Sequence, residues 1–184
     1  MSIKTKNNHR QLKRQDGLTI IELLIGIAAI AAFITAVLHG YATYKTGQRV
    51  KDHTEDLVQI STAVENAFMA VDRSYNNVST ASVVAGRVIP ETMIRAGVPY
   101  NPWGGTVTFA PATITTAGDA FTITSNSVPA EACQRLAEKL AASFKILDIG
   151  GTVIKDETAG DPATATEIQA NCGAGVTAVT VTYQ

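Results

Sequence analysis

The chain has 184 residues, with 15 Lys and Arg against 16 Asp and Glu, three His and two Cys. That length suits one domain with an appendage rather than a multidomain enzyme, and a net charge of −1 gives no global argument for nucleic-acid binding. Charged residues reach only 17%, below the usual quarter of a globular chain, whereas 46% are hydrophobic and unevenly spread.

The unevenness starts at the N-terminus. Residues 1–17 carry Lys4, Lys6, Arg10, Lys13 and Arg14 against Asp16 alone, a local charge of +4, and the remaining ten basic and fifteen acidic residues leave the body at −5. Then comes Leu18 to Leu38, in which 17 of 21 positions are Ala, Val, Ile, Leu or Phe. As a helix this run is about 32 Å long, which matches a bilayer core. The basic flank places residues 1–17 in the cytoplasm and the acidic body on the other side. Three plain readings compete: a cleaved signal peptide, a simple anchor and a buried core helix. The apolar run continues past the small residues Ala28 to Ala32, against the first. Its length and basic flank argue against the third.

Glu22 is the feature an anchor leaves unexplained. An acid in hydrocarbon costs roughly 2.5–3.5 kcal/mol on insertion scales. No Lys, Arg or His lies between Arg14 and His39, so its partner is expected from another chain or from a charge created later.

Beyond the apolar run, the helix is expected to continue to about Val71, since the first proline is Pro90. Leu57, Ile60, Val64, Phe68 and Val71 fall on one face of it, a stripe suited to packing under a globular head. Between the two parts, Gly40 to Gly47 combines two glycines with β-branched and aromatic residues and weakens the helix, a place for local melting on assembly. Residues 72–100 read as a loop with a short helix near Pro90–Ala96. Strands are expected at Thr106–Phe109, Thr113–Thr116 and Ala120–Thr124, with Ala117-Gly118-Asp119 as a turn. Pro129–Leu147 reads as a second helix with Leu136, Leu140, Phe144 and Leu147 on its apolar face. Thr152–Lys155 is a short strand, 156–171 an acidic loop, and Val176–Tyr183 a closing strand. The fold class is α+β, an antiparallel sheet with one face on the long helix.

Catalysis finds little to work with. There is no Gly-x-Ser-x-Gly, His-Glu-x-x-His or Walker loop. His9 lies in the leader, and His39 and His53 lie on the long helix, so no catalytic set, metal site or cofactor site is assigned. Trp103 reads as a core anchor.

Lys13-Arg14-Gln15-Asp16-Gly17, then Leu18-Thr19-Ile20-Ile21-Glu22, then an apolar stretch, resembles the N-terminus of a type IV prepilin. A 17-residue leader, Leu at the first mature position and two C-terminal cysteines resemble the type IVb subclass. Ala130-Glu131-Ala132-Cys133-Gln134-Arg135-Leu136 and Asn101-Pro102-Trp103-Gly104-Gly105 are similar to segments of its major pilins, the toxin-coregulated pilin among them. The resemblance implies a leader over 1–17, a long helix over 18–71 with 18–38 as membrane span and filament core, and a pilin head over 72–184. It implies cleavage by prepilin peptidase between Gly17 and Leu18, N-methylation of Leu18, and Glu22 as the acid needed for assembly. A neighbour's Glu22 would meet the new amino group of Leu18 in a low-dielectric core, where loss of one partner costs about 3–5 kcal/mol, and the pair would set subunit register.

The implied partners are further copies of the chain, the peptidase, an assembly ATPase with its inner-membrane platform, and an outer-membrane secretin. The precursor would sit in the inner membrane and the product in an extracellular pilus serving adhesion, aggregation or conjugation. A pseudopilin or minor pilin shares this N-terminus, and a single-span anchor with a periplasmic binding head remains open. Export to an oxidising compartment and an even cysteine count predict a Cys133–Cys172 disulfide. Related pseudopilins hold calcium in their heads, which draws attention to Asp156, Glu157, Asp161 and Glu167, although their spacing matches no EF-hand.

Overall fold

A computed structural model of the chain describes residues 19–70, 72–173 and 175–184. It divides into two compact units, 1–42 and 43–184. Gly17, Leu18 and Val71 lie outside the described residues.

Helix α1 is Ile20–Met69, 50 residues, and includes Gly40 and Gly47. Its first part belongs to the N-terminal unit. There the large apolar side chains point to open space; even Ile34, the most covered of them, is 51% exposed. Thr35 is accommodated by donating its hydroxyl to the Ala31 carbonyl one turn back (2.7 Å).

The second part of α1 belongs to the head. It buries Val50, His53, Leu57, Ile60, Ser61 and Val64, the face expected from the Leu57–Val64 spacing extended about two turns towards the N-terminus. Burial of each such aliphatic side chain contributes roughly 1.5–3 kcal/mol. Phe68 packs at the edge of the same core.

The sheet of the head has five strands: β3 (Val107–Ala112), β4 (Ala120–Pro129), β5 (Ile146–Ile149), β6 (Thr152–Asp156) and β7 (Val176–Tyr183). Their spatial order is β3-β4-β7-β5-β6, and every neighbouring pair is antiparallel. Along β4 the inner residues Phe121, Ile123 and Ser125 alternate with less buried ones, the period-two pattern of a half-buried strand. A single apolar cluster joins them to α1 and to Leu136 and Leu140 of α3 (Ala130–Ala141). The α+β architecture expected from the sequence, a long helix against an antiparallel sheet, is therefore present.

Four elements differ from the sequence reading. The helix expected near Pro90–Ala96 is a single 3-10 turn, Glu91–Met93, followed by a two-residue hairpin of β1 (Ile94–Arg95) and β2 (Val98–Pro99). Ala96 and Gly97 both have positive φ there, the requirement of a tight hairpin turn. A short helix instead forms upstream as α2 (Thr80–Ala85), where Ser79 and Ser82 make a reciprocal capping box. The segment Thr113–Thr116 is not a strand. Asp119 accepts the backbone N–H groups of Ile114, Thr115 and Thr116 at 2.7–2.9 Å and folds it into a loop. Those donations, above all from Ile114, hold the Asp119 carboxyl below its ordinary range.

The helix expected to reach Leu147 stops at Ala141. Leu147 is buried on β5 instead, where it alternates with half-buried neighbours and shares the inner face with Ile149. Buried Lys155 on β6 donates its ammonium to the carbonyls of Ala141 (2.6 Å) and Phe144 (2.7 Å), satisfying groups at the helix end, and to Glu157. The loop expected over 156–171 contains α4 (Ala165–Cys172), capped by Thr164 and Glu167.

Candidate assembly site on the long helix

The first turn of α1 is built by two residues. Thr19 stands before the helix, and its backbone N–H and hydroxyl both donate to Glu22 Oε2, at 2.9 and 3.0 Å. The Glu22 N–H returns a bond to the Thr19 hydroxyl at 3.3 Å. This is a capping box: it satisfies donors that a helix N-terminus leaves unpaired, and it places a carboxylate at the positive end of the helix dipole. Glu22 is exposed and takes part in neither side-chain ion pair seen among the described residues, Lys51–Glu55 and Lys155–Glu157. Its hydrogen-bond partner is thus local. Thr19 is the partner that a search for cations alone does not find, although the Thr-x-x-Glu spacing is a sequence signature of this cap.

Past Glu22 the helix carries the apolar surface. Ile25, Ile30 and Phe33 are each at least 61% exposed. The helix is long and apolar enough to cross a membrane. Gly17 and Leu18, the residues of the expected cut, lie outside the described part, so the geometry begins one residue beyond it.

In the head, Cys133 on α3 and Cys172 on α4 form a disulfide with their Cα atoms 5.7 Å apart. Both are buried, and the bridge ties together two helices that are separated in the chain by β5 and β6. The four acids considered for calcium have separate tasks. Asp156 accepts from the hydroxyl (2.6 Å) and N–H (2.9 Å) of Thr158, which lowers its proton affinity. Glu157 faces Lys155, Asp161 pairs by backbone with Asp156, and Glu167 caps α4. No three His, Cys, Asp or Glu side chains converge to hold a metal among the described residues.

The Asn101-Pro102-Trp103-Gly104-Gly105 segment is a hydrogen-bonded corner. Asn101 accepts from the N–H groups of Trp103 (3.0 Å) and Gly105 (2.9 Å) and donates to the Asn126 carbonyl (2.6 Å). Trp103 packs against the core with most of its surface covered, and the buried His53 ring stands perpendicular to it. His53 was placed on the helix by its sequence, but its burial carried no signal there.

These features can be set beside known proteins. The model of the family described as PilS N terminal matches residues 47–184, and the chain belongs to that family. No curated protein matches it. Among solved structures, the crystal structure of the type IVb pilin from Salmonella typhi is 21% identical with a TM-score of 0.58, over 71% of this chain and 97% of that one. The crystal structure of TcpA, a type IV pilin from the El Tor biotype of Vibrio cholerae, is 16% identical with a TM-score of 0.56, over 74% and 99%. The NMR structure of the Salmonella typhi type IVb pilin PilS is 24% identical with a TM-score of 0.50, over 73% and 95%. At these identities the likeness is one of fold: the head has the type IVb pilin architecture.

Proposed function

We propose that this chain is the precursor of a structural subunit, a major pilin, of a type IVb pilus, and not an enzyme. Prepilin peptidase removes residues 1–17 after Gly17 and methylates the amino group of Leu18. The subunit waits in the inner membrane on 18–38, then polymerises with other copies through that segment, driven by an assembly ATPase on its platform and leaving through a secretin. The surface filament serves adhesion, aggregation or conjugation.

One observation carries this reading: an exposed apolar helix with an acid in its first turn precedes a head of the PilS family. Exchanging lipid for neighbouring helices supplies little hydrophobic driving force, so extraction needs an energy source and a polar contact to fix register. The Leu18 amino group, four residues before Glu22, is the cation that a neighbour's Glu22 would meet.

The test is the intact mass of protein from the cell surface, followed by electron microscopy of sheared material. The expected mass starts at Leu18 with one added methyl, and filaments are visible. A start at Met1 would favour the single-span anchor. A processed mass without filaments would favour a pseudopilin. Glu22→Gln keeps an oxygen for the Thr19 cap but loses the charge. Filament yield is expected to fall at least about tenfold, given the cost of leaving a buried charge unpaired, with the head still folded. Undiminished filaments would sink the amine pairing.

A further inference from the structure

His53 stands between α1 and the sheet with no exposed surface. Its Nε2 lies 2.8 Å from the Ser125 hydroxyl on β4. Its ring is 5.5 Å from the Trp103 ring and perpendicular to it. Its Nδ1 has no hydrogen-bond partner among the described residues, an exception to the rule that buried polar atoms are paired. A neutral ring can leave a lone pair there while Nε2 stays bonded to Ser125. A proton added at Nδ1 creates a buried N–H and a positive charge with no acceptor.

The surroundings offer that charge no relief. On its own helix the charged residues within four positions are Arg49, Lys51, Asp52, Glu55 and Asp56, of which Lys51 and Glu55 are exposed and pair with each other. Arg49 and Asp52 are exposed, and Asp56 is held above its ordinary range by its own burial first, then by Asp52 and Glu55. From β4 and from the 101–105 corner the facing groups are Ser125 and Trp103, neither of which carries charge. Arg95 of the β1–β2 hairpin lies over Tyr100, and Arg135 of α3 reaches the Thr43 carbonyl.

We propose that His53 is an acid-operated latch: its neutral ring holds α1 against β4, and protonation disengages the helix from the sheet. Burial alone pushes its proton affinity down, from 6.5 to about 4. The fold therefore has the full benefit of neutral His53 above pH 6.5. That benefit is lost as pH falls from 6.5 towards about 4, by up to tenfold in the folding equilibrium per pH unit.

Trp103 is the only tryptophan and touches the His53 ring, so its fluorescence reports this contact. The full chain in detergent micelles is titrated from pH 7.5 to 3.5. In the unsubstituted protein the emission is expected to shift red in one step between pH 6.5 and 4, and the thermal midpoint to fall over the same window. His53→Gln keeps a neutral donor towards Ser125 and is expected to show neither change in that window. Identical titrations of the two proteins would overturn the latch. Should His53→Gln fail to fold, NMR of the imidazole in the unsubstituted chain decides. A midpoint below about 5, with α1 amides losing protection together, supports it. A midpoint near 6.5 in an intact head overturns it.

Discussion

Residues 20–38 and residues 50–64 belong to one helix, yet their side chains meet opposite surroundings. In the first stretch apolar residues lie all round the helix, and none is covered. In the second they keep to one face, and that face is sealed under a sheet. Backbone propensity makes both helical. What separates them is that the second finds its apolar partner within the chain, whereas the first has to find one in lipid or in another copy.

Glycines offer the largest test of that contrast. A Cβ at Gly105 would fall 1.8 Å from the Asn126 carbonyl oxygen, in the corner that Asn101 holds together. Gly105→Ala is expected to cost more than about 4 kcal/mol, by the forced opening of a packed core, and to leave a protease-sensitive head. At Gly26 and Gly40 the same Cβ meets nothing within 4 Å. Alanine there should raise helicity by roughly 0.5–1 kcal/mol per site, with the melting of the head unchanged. A head that tolerates Gly105→Ala would break the comparison.

Isoleucines sharpen it one step down. Ile60 is 1% exposed and Ile30 is 61% exposed. Ile60→Ala is expected to cost the head about 2–5 kcal/mol in chemical denaturation, and Ile30→Ala less than about 0.5 kcal/mol in the same assay. If Ile30→Ala nonetheless abolishes filaments, the first half of the helix acts between subunits.

The smallest effect concerns polar contacts. Tyr183 on β7 donates its hydroxyl to Glu65 on α1, and that bond is the main cause of its proton affinity rising to about 12. Tyr183→Phe is expected to cost about 1.5–3 kcal/mol by equilibrium unfolding, the range for a hydrogen bond to a charged acceptor. No change would mean that water replaces the phenol.

The sequence made the long elements and the oddities legible. Strict spacing marked the Leu57–Val64 face, an acid among apolar residues marked Glu22, and the cysteine count marked the Cys133–Cys172 bridge. Short elements were hidden for a common reason. Helices α2 and α4 and the first turn of α1 are all announced by capping boxes, Ser79/Ser82, Thr164/Glu167 and Thr19/Glu22, rather than by periodicity. Leu147 misled because it continues the helical spacing of Leu136, Leu140 and Phe144, whereas the chain leaves the helix at Ala141 and enters a strand. The burial of His53 and the reach of Lys155 depend on contacts distant in sequence, which no local pattern encodes.

Strand β7 lies between β4 and β5, although both precede it in the chain. The sheet therefore lacks its middle until residues 176–183 arrive, and its two halves have no hydrogen-bonded neighbour in common before then. During synthesis the earlier strands can exist only as separate hairpins, which are marginal on their own. The order of strands thus delays closure of the sheet until β7 has emerged, so the head is completed from its middle rather than from an edge.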